Sequence, residues 1–165
     1  MNIEIIQKKD YNIIAKLNKD VQDLHCDMHP DIFKSYDYET MYKGFSEYIS
    51  QENFHSFIAY YEEEPVGYIL VCIRDYKETP FKAGYKSLYI DQICIKKEYR
   101  HKGTGHKLIE YVKNFAKEQG INRIELTVWT TNNNAKSFFR KAGFEPYMEN
   151  MYMELPIKSS ENRKL

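Results

Sequence analysis

The 165-residue chain reads as one α/β (α+β) domain. Three observations predict it: the apolar period switches repeatedly between two and about 3.6, strand-like and helix-like runs alternate in the second half, and 42% hydrophobic with 15% aromatic residues suffices for a packed core. Residues 1–157 are expected to form this single domain without internal repeats or linkers, and 158–165, in the tail IKSSENRKL, to be disordered. With 24 basic and 24 acidic residues the formal net charge is zero, which argues against a nucleic-acid or membrane-surface protein, since both usually carry a basic excess. The ligand is therefore expected to be small and recognised locally. No stretch approaches the ~20 apolar residues of a membrane span. Cys26, Cys72 and Cys94 form no C-x-x-C pair and the N-terminus has no apolar signal core, so a cytoplasmic protein with reduced thiols is expected.

The elements follow in order. NIEII is a short strand, and Ile13, Ile14, Leu17, Val21 and Leu24 then repeat at helical spacing until His29-Pro30 stops them. Met41, Phe45 and Ile49 mark a second helix. SFIAYY and VGYILVCI flank the acidic turn EEEP as a hairpin, and LYIDQICI is apolar enough to lie centrally in a sheet. From Gly103 to Gln119, Leu108, Val112, Phe115 and Ala116 line one helical face, and Gly120 provides the stop. RIELTVWT alternates as a strand. Ala135, Phe138, Phe139 and Ala142 form a shorter helix closed by Gly143, and FEPYMENMYMEL supplies a last hairpin.

The chemistry concentrates at RHKGTGHKL, a turn between strand and helix with two glycines among basic side chains. Backbone N–H groups and a positive helix end suit a pyrophosphate there. The turn is neither a P-loop, which needs G-x-x-x-x-G-K-[ST], nor a dinucleotide fingerprint, because Leu108 stands where the third glycine belongs. Alone, R-x-x-G-x-G is equally compatible with a solvated basic loop.

The flanks make the pattern specific. LYIDQICIKKEYRHKGTGHKLIEYV, followed by TTNNNAKSFFRKAGFE, resembles the two signature motifs of the GNAT superfamily of acetyl-CoA-dependent N-acetyltransferases. Arg100, Gly103 and Gly105 match [RQ]-x-x-G-x-[GA]; Asn132, Ala135, Phe138, Phe139, Gly143 and Phe144 match N-x-x-A-x-x-[FY]-[YF]-x-x-x-G-F. The match covers residues 87 to 146. The resemblance implies the GNAT fold, a twisted mixed sheet of about six to seven strands flanked by about four helices, with acetyl-CoA inserted where strands 4 and 5 part.

By the same resemblance, the turn of Arg100, His101, Lys102, Gly103, Thr104, Gly105 and His106 wraps the CoA pyrophosphate. Ile93, Cys94 and Ile95 pair with pantetheine amides much as another strand would. Asn132, with Ala135, Phe138 and Phe139 on the last helix, completes the cofactor side, and a β-bulge splays the central strand. Acetyl transfer needs a neutral amine, so an ammonium of pKa about 10 must lose a proton. Asp91 occupies a position where an acidic base often stands in the family, with Tyr89 two residues earlier on its face. Phe139 replaces the tyrosine that commonly protonates the departing sulfur, so Tyr147 or Tyr152 is the remaining phenol.

The acceptor side is expected from the variable segments HCDMHPDIFKSYDYE and RDYKETPFKAGYK and the final hairpin. Asp27, Asp31, Asp37 and Glu39 among Phe33, Tyr36 and Tyr38 would favour a cationic amine, or are simply solvated. His25, Cys26, Asp27 and His29 superficially resemble metal-ligand spacing, but no metal is expected, because there is no second cluster and the chemistry needs none. Cys94 is expected to pack or present backbone rather than act as a nucleophile. Two functions remain open: an N-acetyltransferase acting on a primary amine by direct attack in a ternary complex, and a catalytically silent acyl-CoA-binding or regulatory module. Relatives are often dimers, so a homodimer is compatible with either.

Overall fold

A computed structural model describes residues 2–155; the tail expected at 158–165 lies outside the described residues. The chain runs β1 (Glu4–Gln7), α1 (Tyr11–Met28), α2 (Tyr38–Ser50), β2 (Phe54–Tyr61), β3 (Glu64–Tyr76), β4 (Tyr85–Ile95), a 3-10 turn at Lys97–Tyr99, α3 (Thr104–Glu118), β5 (Ile124–Leu126) and α4 (Asn133–Lys141). The strands form one mixed sheet in the order β1-β2-β3-β4-β5. The first three pairings are antiparallel and β4 with β5 is parallel, the two joined by a crossover through α3.

Local chemistry sets the boundaries. Asp10, Asp37 and Asn132 cap α1, α2 and α4, each accepting from the amide three residues on. The β2–β3 hairpin turns on Glu62 and Glu63, at φ 48° and 68°, the left-handed pair that matches strand twist in a two-residue loop. The sheet separates two apolar layers. On one face Phe57, Ile69, Leu88 and Ile90 pack with Leu108, Val112, Phe115 and Phe139 of α3 and α4. On the other, Ile58, Tyr68, Leu70 and Cys94 pack with Ile14, Leu17, Phe45 and Ile49 of α1 and α2.

Two expectations are corrected. The described residues hold five strands rather than six or seven, because FEPYMENMYMEL forms no strand; Met148, Met151, Tyr152, Met153 and Leu155 are exposed. RIELTVWT pairs only over Ile124–Leu126. Its remainder leaves the sheet because Trp129 stacks on His29 and Phe33 of the α1–α2 segment instead of continuing beside β4. A three-residue β5 offers little edge for a further hairpin.

Candidate active site

The site begins where β4 and β5 separate. β5 pairs with Leu88, Tyr89 and Ile90 and stops, while β4 continues to Ile95. Across β4, Val71 faces Ile90 and Leu70 faces Gln92, leaving Asp91 as an extra residue in the ladder. This bulge bends β4 away from β5 at the fork. Lys96 N–H bonds Val66 O on β3 and Leu88 N–H bonds Arg123 O on the β5 side, so alternation turns the N–H and C=O of Ile93 and the N–H of Ile95 toward the gap. The Ile95 carbonyl accepts from Arg100 Nε at 2.9 Å. Cys94 faces the other way. Its backbone is directed to β3 and its buried thiol donates to Leu17 O at 3.1 Å, with burial pushing the thiol pKa up to about 12.

At the far end of the gap lies the glycine turn. His101 at φ 60° and Gly103 at φ 85° bring the chain round onto α3, whose first-turn amides at Thr104, Gly105 and His106 have no carbonyl one turn back. Nothing lies within 4 Å of a Cβ built at Gly103, so glycine is required there by backbone conformation rather than by space. Gly105 is the opposite case: a Cβ would stand 3.0 Å from the Phe138 ring. Arg100 serves the turn's structure, with its guanidinium tied to Ile95 O and to Asp20 of α1 at 3.4 Å; Asp20 also accepts from Lys97 N–H. Lys102 lies over the Tyr99 ring, 5.3 Å from its centroid.

On α4, Asn132 Oδ1 is committed to the helix cap, accepting from Ala135 N–H at 3.0 Å. Ala135 and Phe138 pack on the core rim, and Phe138 meets His106 edge-on at 5.2 Å. Phe139 is buried against Phe138 and Phe144. The helical period that identified it also explains this, because Phe139 lies on the inward stripe.

The α1 side of the fork carries the titratable groups. Asp91 reaches solvent, yet the protein crowds its carboxylate enough that desolvation raises its pKa above the ordinary aspartate value, with Arg74 opposing. Behind it, Asn18 Nδ2 donates to Tyr68 Oη and to Gln92 Oε1, both at 2.9 Å, and Tyr68 Oη donates to Gln92 at 2.7 Å. This buried network fixes Gln92 and hence the downstream edge of the bulge. Tyr89 Oη donates to Thr127 Oγ1 at 2.9 Å, and the Arg74 guanidinium carbon lies 3.2 Å from the Tyr89 ring centroid. Tyr147 is engaged elsewhere: its hydroxyl donates to Glu125 at 2.9 Å, which raises its pKa, and Arg123 sits 4.7 Å over its ring. A phenol that gives its proton to a carboxylate anchors the C-terminal segment instead of standing as a free acid. Arg74, Gln92, Asn18 and Asp20 were not singled out from sequence; two adjacent polar residues interrupting LYIDQICI were the available sign of the bulge.

His25 and His29 do not converge as ligands. His25 stacks on Phe33 at 4.7 Å, where burial and then the charge of His29 lower its pKa; His29 stacks on Trp129 at 4.3 Å and bonds Thr131 at 2.9 Å. Among the described residues no three His, Cys, Asp or Glu side chains group to hold a metal ion. This aromatic cluster ties the α1–α2 segment to the strand that leaves the sheet after β5.

The fold as a whole, a mixed sheet between two helical layers, is shared with solved structures. The structure superposes on a mutant form of the BH1408 protein of Bacillus halodurans with a TM-score of 0.82 at 25% identity, covering 95% of this chain and 99% of that one. It also matches the fold of aminoglycoside N-acetyltransferase AAC(6')-Iy in complex with CoA, TM-score 0.69 at 15% identity, over 94% and 96% of the two chains. The sequence profile of the acetyltransferase (GNAT) family matches residues 18–144, and the chain belongs to that family. Among curated relatives, the probable N-acetyltransferase san of Drosophila melanogaster is 37% identical over 90 residues, 53% of this chain and 45% of that protein. An uncharacterized N-acetyltransferase of Lactobacillus delbrueckii subsp. lactis is 27% identical over 90 residues, 54% of this chain and 51% of that protein. The chain thus spans about half the length of these curated relatives.

Proposed function

We propose that the protein transfers the acetyl group of acetyl-CoA to a primary amine by direct attack within a ternary complex. The observation that carries this reading is the fork itself: Asp91 stands at its vertex, unpaired backbone groups of Ile93 and Ile95 line one side, and the first-turn amides of α3 close its end. These features fit the donor, whose pantetheine carries peptide-like amides and whose pyrophosphate suits amides at a positive helix end. Acetyl-CoA supplies an acyl group activated as a thioester. The names of the matched relatives, including a thialysine N-epsilon-acetyltransferase of Bos taurus, support an amine as acceptor.

Asp91 accepts the proton that the acceptor ammonium must lose before its lone pair can form the amide bond. The desolvation that raises its pKa makes its carboxylate a stronger base. As the new C–N bond forms, the C–S bond breaks and the CoA thiolate departs, and the extra proton left on the acylated nitrogen passes to the thiolate or to solvent, giving the neutral amide and the CoA thiol. A thiol of pKa near 8.5 leaves without a side-chain acid, which agrees with Phe139 being buried and Tyr147 being held by Glu125. Among the described residues no helix is long and apolar enough to cross a membrane, and a cytoplasmic setting is part of the proposal.

The experiment is thiol release from acetyl-CoA with a panel of amines, alongside calorimetric binding of CoA. Amine-dependent release supports the transferase. Tight CoA binding with no release from any amine would instead make the protein an acyl-CoA-binding module.

A further inference from the structure

We propose that Arg74 binds an anionic group of the acceptor, so that the substrate is an amine carrying a carboxylate a few bonds from its nitrogen, as in an amino acid. The inference rests on the acetyl-transfer reading above and names the substrate class of that site.

Arg74 is half-buried on β3, on the face that carries Tyr89, and its charge reaches Asp91. Two other arginines near the site have carboxylates of their own, Arg100 with Asp20 and Arg123 with Glu125. Arg74 has none: among the described residues no carboxylate oxygen lies within the 4.0 Å limit of an ion pair. Its hydrogen-bonding neighbours Cys72 and Tyr76 are neutral, and Asp91, whose carboxylate feels its charge, makes no ion pair with it. The guanidinium carbon lies over the Tyr89 ring, 3.2 Å from its centroid, and Thr127 fixes the far end of that ring. Contact through the face of the guanidinium keeps its in-plane N–H groups available, and those not spent on Cys72 and Tyr76 can meet a planar anion. A half-buried cation near a candidate base, ion-paired neither to it nor to any other carboxylate among the described residues, is arranged for a ligand's charge.

Tyr89, over which Arg74 lies, and Asp91 are two residues apart on β4, and the Arg74 charge is near enough to oppose the rise in the Asp91 pKa. An acceptor spanning them would set its ammonium on Asp91 and its carboxylate on Arg74, matching both charges head to tail. A polycation would bring a second positive charge toward Arg74 and be disfavoured.

The test uses matched pairs, each an amino acid and its carboxamide, in thiol-release assays of the wild type, Arg74→Gln and Arg74→Lys. The wild type is expected to prefer the acids by about 10- to 100-fold in kcat/KM, as a hydrogen-bonded charge pair contributes. Arg74→Gln is expected to bring that preference near parity through KM for the acids, and Arg74→Lys to keep part of it, while calorimetric acetyl-CoA affinity shows that each variant is folded. Equal use of acids and carboxamides by the wild type, or an equal loss for both in Arg74→Gln, overturns the assignment and leaves acetyl transfer standing. No release from any amine, with acetyl-CoA bound, overturns acetyl transfer and this inference together.

Discussion

Gly105 of α3 and Phe138 of α4 are in direct contact, so that any side chain at 105 would stand 3.0 Å from the Phe138 ring. The two halves of the family pattern are thereby one packing unit. Gly105→Ala is expected to push the ring and His106 from their places and cost about 1–3 kcal/mol, as overpacking does. Phe138→Leu in the same chain should recover much of that loss. Additive effects in a double-mutant cycle of thermal unfolding would disprove the coupling.

Gly103 makes a contrasting prediction, because the space around it is open and only its φ of 85° is demanding. Acetyl-CoA affinity should fall in the order Gly, Asn, Ala, with Val lowest, since Asn tolerates the left-handed region best among residues with a side chain. Calorimetry across the series checks it; Ala binding as well as Gly would show that the turn does not need this conformation.

Asp91→Asn should lower turnover at neutral pH by ~10²–10⁴-fold, the usual contribution of a general base, with acetyl-CoA affinity little changed. In the wild type, kcat/KM should fall with acidification through a pKa above the ordinary aspartate value. The stability effect has the opposite sign. A carboxyl whose folded pKa is raised favours folding fully only below its unfolded pKa, and that contribution is lost as pH rises through the folded value. Asp91→Asn is therefore expected to melt higher than wild type at pH 7. A lower melting point together with unchanged turnover would assign Asp91 to structure.

Phe139→Tyr would place a hydroxyl in the aromatic layer among Phe138 and Phe144. The expected outcome is a loss of about 1–3 kcal/mol in stability from an unsatisfied buried group, with no gain in kcat. A substantial rise in kcat would mean that the ring does reach the departing sulfur.

The cysteines should differ in reactivity. Cys94 and Cys72 are buried with raised pKa values, burial being the main cause, whereas Cys26 is partly exposed. A disulfide reagent at pH 8 should label Cys26 in the native protein and reach all three only on unfolding. Rapid loss of Cys94 in a mass-spectrometric footprint would contradict its packing against Leu17.

The sequence was most informative where a single backbone requirement dictated residue type. Gly103 and Asn132 could be recognised because a left-handed turn and a helix cap tolerate few alternatives, and the helices followed from their apolar stripes. What escaped was non-local. Trp129 reads as part of an alternating strand, but its stacking with His29, a hundred residues away in sequence, decides that the chain leaves the sheet. Tyr147 reads from sequence as a spare phenol, but Glu125 holds it, and Arg74 reads only as the first residue of the loop RDYKETPFKAGYK, whereas it lies within β3 against Tyr89 with no ion pair among the described residues. Such properties belong to pairs that only folding brings together.

The bulge at Asp91 has a further consequence when β4 is counted without that residue. Leu88, Ile90, Ile93 and Ile95 then fall on alternate positions facing α3, with Tyr89, Gln92 and Cys94 between them, so the remaining ten residues form an uninterrupted pleat. Asp91 is supernumerary to the architecture: a ten-residue strand suffices for the barrier between the two apolar layers, and an eleventh residue supplies the proposed base. In genetic terms the difference is one codon. A single in-frame deletion would remove the carboxylate together with the bulge that bends β4 away from β5, so base and fork are gained or lost as one.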